Sequence, residues 1–95
     1  MIKSFADKKT KAMHSGEAVQ GIAADVQKKA LRRLRYLDAA RVLNDLIVPP
    51  SNALKKLKGK LKDFYSIRVN KQWRIIFKWD DEKGGASEVE FTDYH

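Results

Sequence analysis

The sequence predicts an α+β fold in which two to three N-terminal helices pack on a small antiparallel β-sheet. Apolar residues recur at helical spacing from about Ala18 to Leu46, they alternate with polar ones from Tyr65 to Phe91, and Pro49-Pro50 separates the two regimes. A chain of 95 residues holds one modest core, so residues 1–95 are expected to form one domain.

The elements follow in order. Met1–Phe5 is a short β-prone opening anchored by Ile2 and Phe5, and Ala6–His14 is a short charged helix broken at Ser15-Gly16. From Ala18 onward Ile22, Val26, Ala30, Leu34 and Leu37 form one apolar stripe, with Lys28, Lys29, Arg32, Arg33 and Arg35 on the other face. Asp38 is positioned to cap a second helix whose Ala39, Val42, Leu43 and Leu46 point inward. A loop, SNALKKLKGK, follows the prolines and pivots at Gly59.

The remainder is β. Tyr65, Ile67 and Val69 alternate with Ser66, Arg68 and Asn70; Trp73, Ile75, Phe77 and Trp79 form a second apolar set, which reads as core, and Val89 and Phe91 a third. Side chains directly opposite in an antiparallel pair share a face, so the apolar sets must oppose one another. A two-residue turn at Asn70-Lys71 would mix the faces. A three-residue turn at Asn70-Lys71-Gln72 pairs Val69 with Trp73, Ile67 with Ile75 and Tyr65 with Phe77, and it seats Arg68 opposite Arg74. Like charges so placed cost a few tenths to about 1 kcal/mol. Two guanidiniums fanned over one face suit an anion between them, and phosphate matches their geometry. By the same parity Glu88, Glu90, Thr92 and Tyr94 belong to the arginine side.

Charge location agrees. Between Lys55 and Lys78 stand nine basic residues and one acid, while the other eleven basic and eleven acidic residues cancel, so the whole net charge of +8 sits in one quarter of the chain. That is an electrostatic footprint for a polyanion. The absence of cysteine rules out disulfides and thiolate metal sites, and with two histidines no metal is expected. The N-terminus has no apolar signal-peptide region, and no apolar run approaches the length of a membrane helix, so a cytoplasmic protein with no membrane partner is expected. No serine sits in a nucleophile elbow and no glycine-rich loop awaits a nucleotide, so no cofactor is expected. What remains is metal-free chemistry on RNA, whose 2′-hydroxyl can attack its own phosphate, given a base, an acid and fixed cations.

The segments Leu57-Lys58-Gly59, Tyr65-Ser66-Ile67-Arg68, Gln72-Trp73-Arg74-Ile75 and the terminal Asp93-Tyr94-His95, with the opening MIKSF, resemble the HigB-type toxins of the RelE/ParE superfamily over nearly the whole chain. The resemblance implies a RelE-like fold and an endoribonuclease that cuts messenger RNA in the ribosomal A site. It implies as partners the ribosome, the mRNA and a helix-turn-helix antitoxin, with operator DNA reached only through that antitoxin. Carried over, the family's catalytic positions fall on Lys58, Arg74, Asp93, Tyr94 and His95, with Lys55, Lys60 and Arg68 as phosphate-binding cations. Tyr94 would act as a general base or stack on a nucleobase, and His95 is an acid–base group. Some members have a histidine three residues before the loop lysine; this chain has Lys55, which is expected to bind phosphate only. Two other readings use the same basic face: a non-catalytic nucleic-acid or ribosome-binding module, and a ParE-like topoisomerase inhibitor.

Overall fold

A computed structural model describes residues 1–94, and the role expected of His95 lies outside them. Helix α1 (Lys8–His14) starts where the Asp7 carboxylate accepts a hydrogen bond from the Thr10 amide at 2.8 Å, satisfying one of the amides the first turn leaves without a partner.

The long helix begins later than its apolar stripe suggests. Gly21 takes a left-handed turn (φ 86°), and the Gln27 side chain accepts from the Val19 amide at 2.8 Å and donates to the Ile22 carbonyl at 3.1 Å. The segment before residue 24 is thereby held as a loop, and α2 runs Ala24–Ala39. Asp38 does not cap a second helix. It lies in the last turn of α2, where its carboxylate accepts from the Ile2 amide at 3.0 Å and pairs with His14. The expected second helix shrinks to a 3-10 turn over Leu43–Ile47, because Asp45 folds back to accept the Arg41 and Val42 amides at 2.9 and 3.2 Å, and Pro49-Pro50 follows at once. Leu46 is buried as expected, whereas Ala39 and Val42 are exposed.

Four antiparallel strands follow in spatial order: β1 (Lys55–Lys56), β2 (Phe64–Arg68), β3 (Trp73–Asp80) and β4 (Gly85–Asp93). The segment expected to be loop thus holds a two-residue edge strand, in which Lys55 pairs with Ser66 and Lys56 with Tyr65. The β2–β3 register is the one parity requires: Tyr65 opposite Phe77, Ile67 opposite Ile75, Arg68 opposite Arg74. Between β3 and β4 the register shifts across Ile76/Lys78, where Glu88 takes a positive φ of 51°. The N-terminal segment runs parallel to β4 along its free edge, with Lys3 N–H donating to the Ala86 carbonyl at 2.7 Å and Ala6 N–H to that of Val89 at 2.9 Å.

The core lies between α2 and one face of this sheet. Leu34 and Leu37 meet Ile67, Ile75, Phe77, Val89 and Phe91, all fully buried. Each such side chain contributes about 1.5–3 kcal/mol of apolar burial. Trp73 and Trp79 pack half-buried on that core, and Trp73 stacks on Phe91 at 4.5 Å. Arg68 and Arg74 stand on the other face of the sheet. Among the described residues no helix is long and apolar enough to cross a membrane.

Candidate functional site

The arginine face is a grid fixed by the ladder. One row across the strands reads Arg68, Arg74, Thr92; the next reads Lys55, Ser66, Ile76, Glu90; a third places Phe64 opposite Lys78. Ser66 and Ile76, in the middle row, are only 2% and 6% exposed.

Arg74 dominates one end. Its guanidinium carbon lies 5.2 Å from the centre of the Tyr94 ring, a cation–π approach that fixes both groups. The Tyr94 amide donates to the Gln72 carbonyl at 2.8 Å, which extends the β3–β4 ladder and brings the tyrosine to Arg74. Arg74 Nε is buried with no hydrogen-bond partner among the described residues. A buried donor left open in this way is costly unless a ligand meets it. Arg68 Nε donates to the Asn70 carbonyl at 3.2 Å, so its head is steadied by the turn that follows. That turn is itself built by Asn70, whose side-chain oxygen accepts from the Gln72 and Trp73 amides at 2.8 and 2.7 Å.

At the opposite end Leu57 N–H donates to the Phe64 carbonyl at 3.0 Å, and the connection carrying Lys58 and Lys60 leaves the sheet there, turning at Gly59 with φ 68°. Both lysines are exposed. Phe64 is four residues from Arg68, a separation of roughly 13 Å along an extended strand. The fold therefore gathers Lys55, Arg68, Arg74 and Tyr94 on one face, while Lys58 and Lys60 are exposed on the connection that leaves the sheet at its far end.

Asp93 is not part of that group. It pairs with Trp73 in the ladder and so belongs to the helix side, where its Oδ1 is buried without a hydrogen-bond partner among the described residues. Nearby acids on the arginine side are partly spent: Glu88 holds Lys78 at 2.9 Å, and that contact, with burial opposing it, raises the Lys78 pKa. Among the described residues no three His, Asp or Glu side chains converge as a metal site would need. Cavities of about 470 and 110 Å³ share no residue with the arginine face.

Sequence reading missed Arg33. Placed on the polar face of α2, it is only 8% exposed, and its Nε donates to the Arg68 carbonyl at 2.9 Å. The signal was its spacing, three residues after Ala30 and four before Leu37, which puts it on the buried stripe.

A family model for HigB-like toxins, described as the RelE-like toxin of the type II toxin–antitoxin system HigB, matches residues 3–95. The chain belongs to this family. A HigB-like toxin is one half of a pair, so an antitoxin partner is implied. Toxin HigB-1 of Vibrio cholerae serotype O1 is 47% identical over 60 residues, 63% of either chain, so the matched stretch spans less than two thirds of that relative. The endoribonuclease HigB of Proteus vulgaris is 32% identical over the full length of both chains. The solution structure of a conserved hypothetical protein from Helicobacter pylori matches with a TM-score of 0.53 at 16% identity, covering 96% of this chain and 94% of that one, which speaks for the fold.

Proposed function

We propose that this HigB-like toxin is a ribosome-dependent endoribonuclease that cuts mRNA in the A site, in the bacterial cytoplasm, and that residues 1–95 act as one toxin domain. The observation that carries this reading is the open Arg74 Nε donor beside Tyr94, on the one sheet face where Arg68 stands directly opposite. In it the RNA 2′-oxygen attacks the adjacent phosphorus and the 5′-oxygen leaves. Arg74, supported by Arg68, stabilises the charge that develops on the phosphoryl oxygens. Tyr94 stacks on or hydrogen-bonds the flanking nucleotide, and His95 follows it in the chain as an acid–base group. Lys55, Lys58 and Lys60 hold neighbouring phosphates along the strand. Asp93, on the helix side, supports the chain end rather than touching the phosphate. A helix-turn-helix antitoxin would restrain the activity and carry the pair to operator DNA.

The test is primer extension of cellular transcripts after brief expression in growing bacteria. New 5′ ends confined to translated regions and in frame are expected, and Arg74→Ala should abolish them while ribosome association persists. Toxicity and ribosome binding that fall together, with transcripts uncut, would favour a non-catalytic binding module instead.

A further inference from the structure

We propose that Asn70 is a positioning residue for RNA cleavage, because its side chain builds the turn from which both Arg68 and Tyr94 are held. The role rests on the cleavage proposed for this face. Asn70 Oδ1 accepts from the Gln72 amide at 2.8 Å and from the Trp73 amide at 2.7 Å. An asparagine side chain bonded to backbone two residues on is a device for closing a tight turn. The hairpin closes around it, since the Val69 and Asn70 amides both donate to the Trp73 carbonyl, at 3.0 and 3.1 Å.

Two carbonyls of that turn then serve the site. The Asn70 carbonyl accepts from Arg68 Nε at 3.2 Å and so sets where that guanidinium stands. The Gln72 carbonyl accepts from the Tyr94 amide at 2.8 Å, just past the pairing of Trp73 with Asp93. The Tyr94 ring in turn has the Arg74 guanidinium 5.2 Å from its centre. Without the Asn70 oxygen the Gln72 and Trp73 amides have no acceptor, and the turn gives up the conformation that aims both carbonyls. A misplacement on the order of 1 Å can cost about 100-fold in rate.

No other described contact does the same. Arg33 holds the Arg68 carbonyl, a main-chain group, and leaves the Arg68 head untouched. The bond to Gln72 is the one hydrogen bond of Tyr94 among the described residues. The other hairpin supplies a control of like chemistry. Asp80 Oδ1 accepts from the Glu82 and Lys83 amides at 3.0 and 3.2 Å and builds the β3–β4 turn, from which neither arginine nor Tyr94 is held.

The experiment is single-turnover cleavage of a short defined mRNA on purified, saturating ribosomes by the full chain, with co-sedimentation and urea melts on the same preparations. Asn70→Ala should lower the cleavage rate about tenfold or more while ribosome binding stays within about threefold of the parent. Asn70→Ser keeps a weaker, uncharged acceptor and should fall between the two. Asp80→Ala should lower the urea midpoint as Asn70→Ala does, yet cut within about threefold of the parent. If Asn70→Ala, or Asn70→Ser where the alanine variant does not fold, cuts at the parent's rate, positioning by Asn70 is overturned while the cleavage reading stands. Asp80→Ala losing as much activity as Asn70→Ala would overturn it equally, by showing that any weakened turn has this effect. If the parent itself leaves the mRNA whole, both readings fall.

Discussion

Arg33 Nε donates to the Arg68 carbonyl at 2.9 Å, tying the middle of α2 to the end of β2 that carries the opposed arginines. The bond fills a gap in the sheet. Val69 N–H donates to the Trp73 carbonyl on the β3 side, so the Arg68 carbonyl points the other way, toward a β1 strand that has already ended at Lys55, opposite Ser66. A helix side chain therefore supplies the donor that a missing strand would have given. Arg33→Ala leaves that carbonyl unpaired and opens space beside Tyr36, over whose ring the guanidinium lies at 5.8 Å. It should destabilise the fold by about 1–3 kcal/mol, read as a lower urea midpoint with an unchanged m-value. A midpoint equal to the parent's would show the bond to be dispensable.

The opposed Arg68 and Arg74 predict a trade between stability and activity. Replacing Arg68 by threonine relieves a like-charge pair and adds a residue suited to strands, so stability should rise by a few tenths to about 1 kcal/mol while RNA cleavage falls. Arg74→Lys keeps the charge but loses the planar two-pronged donor, and should reduce cleavage by about tenfold or more without that gain. Urea melts and the cleavage assay on the same preparations check both; a fall in stability for Arg68→Thr would mean that the pair is held by contacts that outweigh its repulsion.

Asp38 gives the fold an acid-sensitive clasp. Burial pushes its carboxyl pKa up, but the hydrogen bond with His14, the bond from the Ile2 amide and the charges of His14 and the N-terminus outweigh it, so the pKa lies below the ordinary range. A carboxyl lowered on folding stabilises the native state above its unfolded pKa, near 4, and that contribution is lost as pH falls through the lower folded value. The stability difference between the parent and Asp38→Asn should accordingly shrink as pH is brought from about 5 to about 2. Thermal melts across that range decide it, and a difference independent of pH would exclude the ionised clasp.

How far the fold was legible depended on whether one local rule acted alone. The hairpin register was readable because burying Ile67, Ile75, Tyr65 and Phe77 together leaves a single turn length. The same parity applied to Val89, Phe91 and Asp93 places Asp93 on the helix side, as the ladder does. The strand at Lys55–Lys56 was not readable, since two exposed lysines show no alternation and pair only because Ser66 and Tyr65 offer an edge. Asp38 was misread because a residue suited to capping one helix also suits the end of another, and only the folded N-terminus shows which donors reach it. The basic face was legible as charge, and the parity that put Glu90 and Thr92 on it holds up to Ile76; only beyond that residue does the β3–β4 shift break it.

Two glycines with left-handed backbones should separate strain from collision. Gly59 has φ 68° and open space where a Cβ would stand, so Gly59→Ala should cost about 1–2 kcal/mol from backbone conformation alone. Gly84 has φ 64°, and a Cβ there would come within 2.7 Å of the Arg41 carbonyl oxygen, a backbone atom that cannot swing aside. Gly84→Ala should therefore be distinctly the more destabilising in urea melts. Equal losses would mean that the β3–β4 turn moves freely off the segment after α2.

The nucleophile can be tested in the substrate rather than the protein. Among the described residues the arginine face carries Ser66, which is 2% exposed in its middle row, and Ser87, which pairs with Lys78 in the row furthest from the arginines. Attack from within the RNA then leaves the scissile nucleotide's own 2′-hydroxyl as the only group whose removal must stop the reaction. An mRNA carrying one 2′-deoxy nucleotide at the mapped cut, presented on the ribosome, should bind as before and remain whole, while the same change one nucleotide away should be tolerated. The cut all-ribose strand should end in a 2′,3′-cyclic phosphate, which mass spectrometry of the fragments resolves. Cleavage of the deoxy-substituted strand would require water or a protein group to attack instead, and Arg74 and Arg68 would then bind a phosphate whose chemistry is done elsewhere on the ribosome.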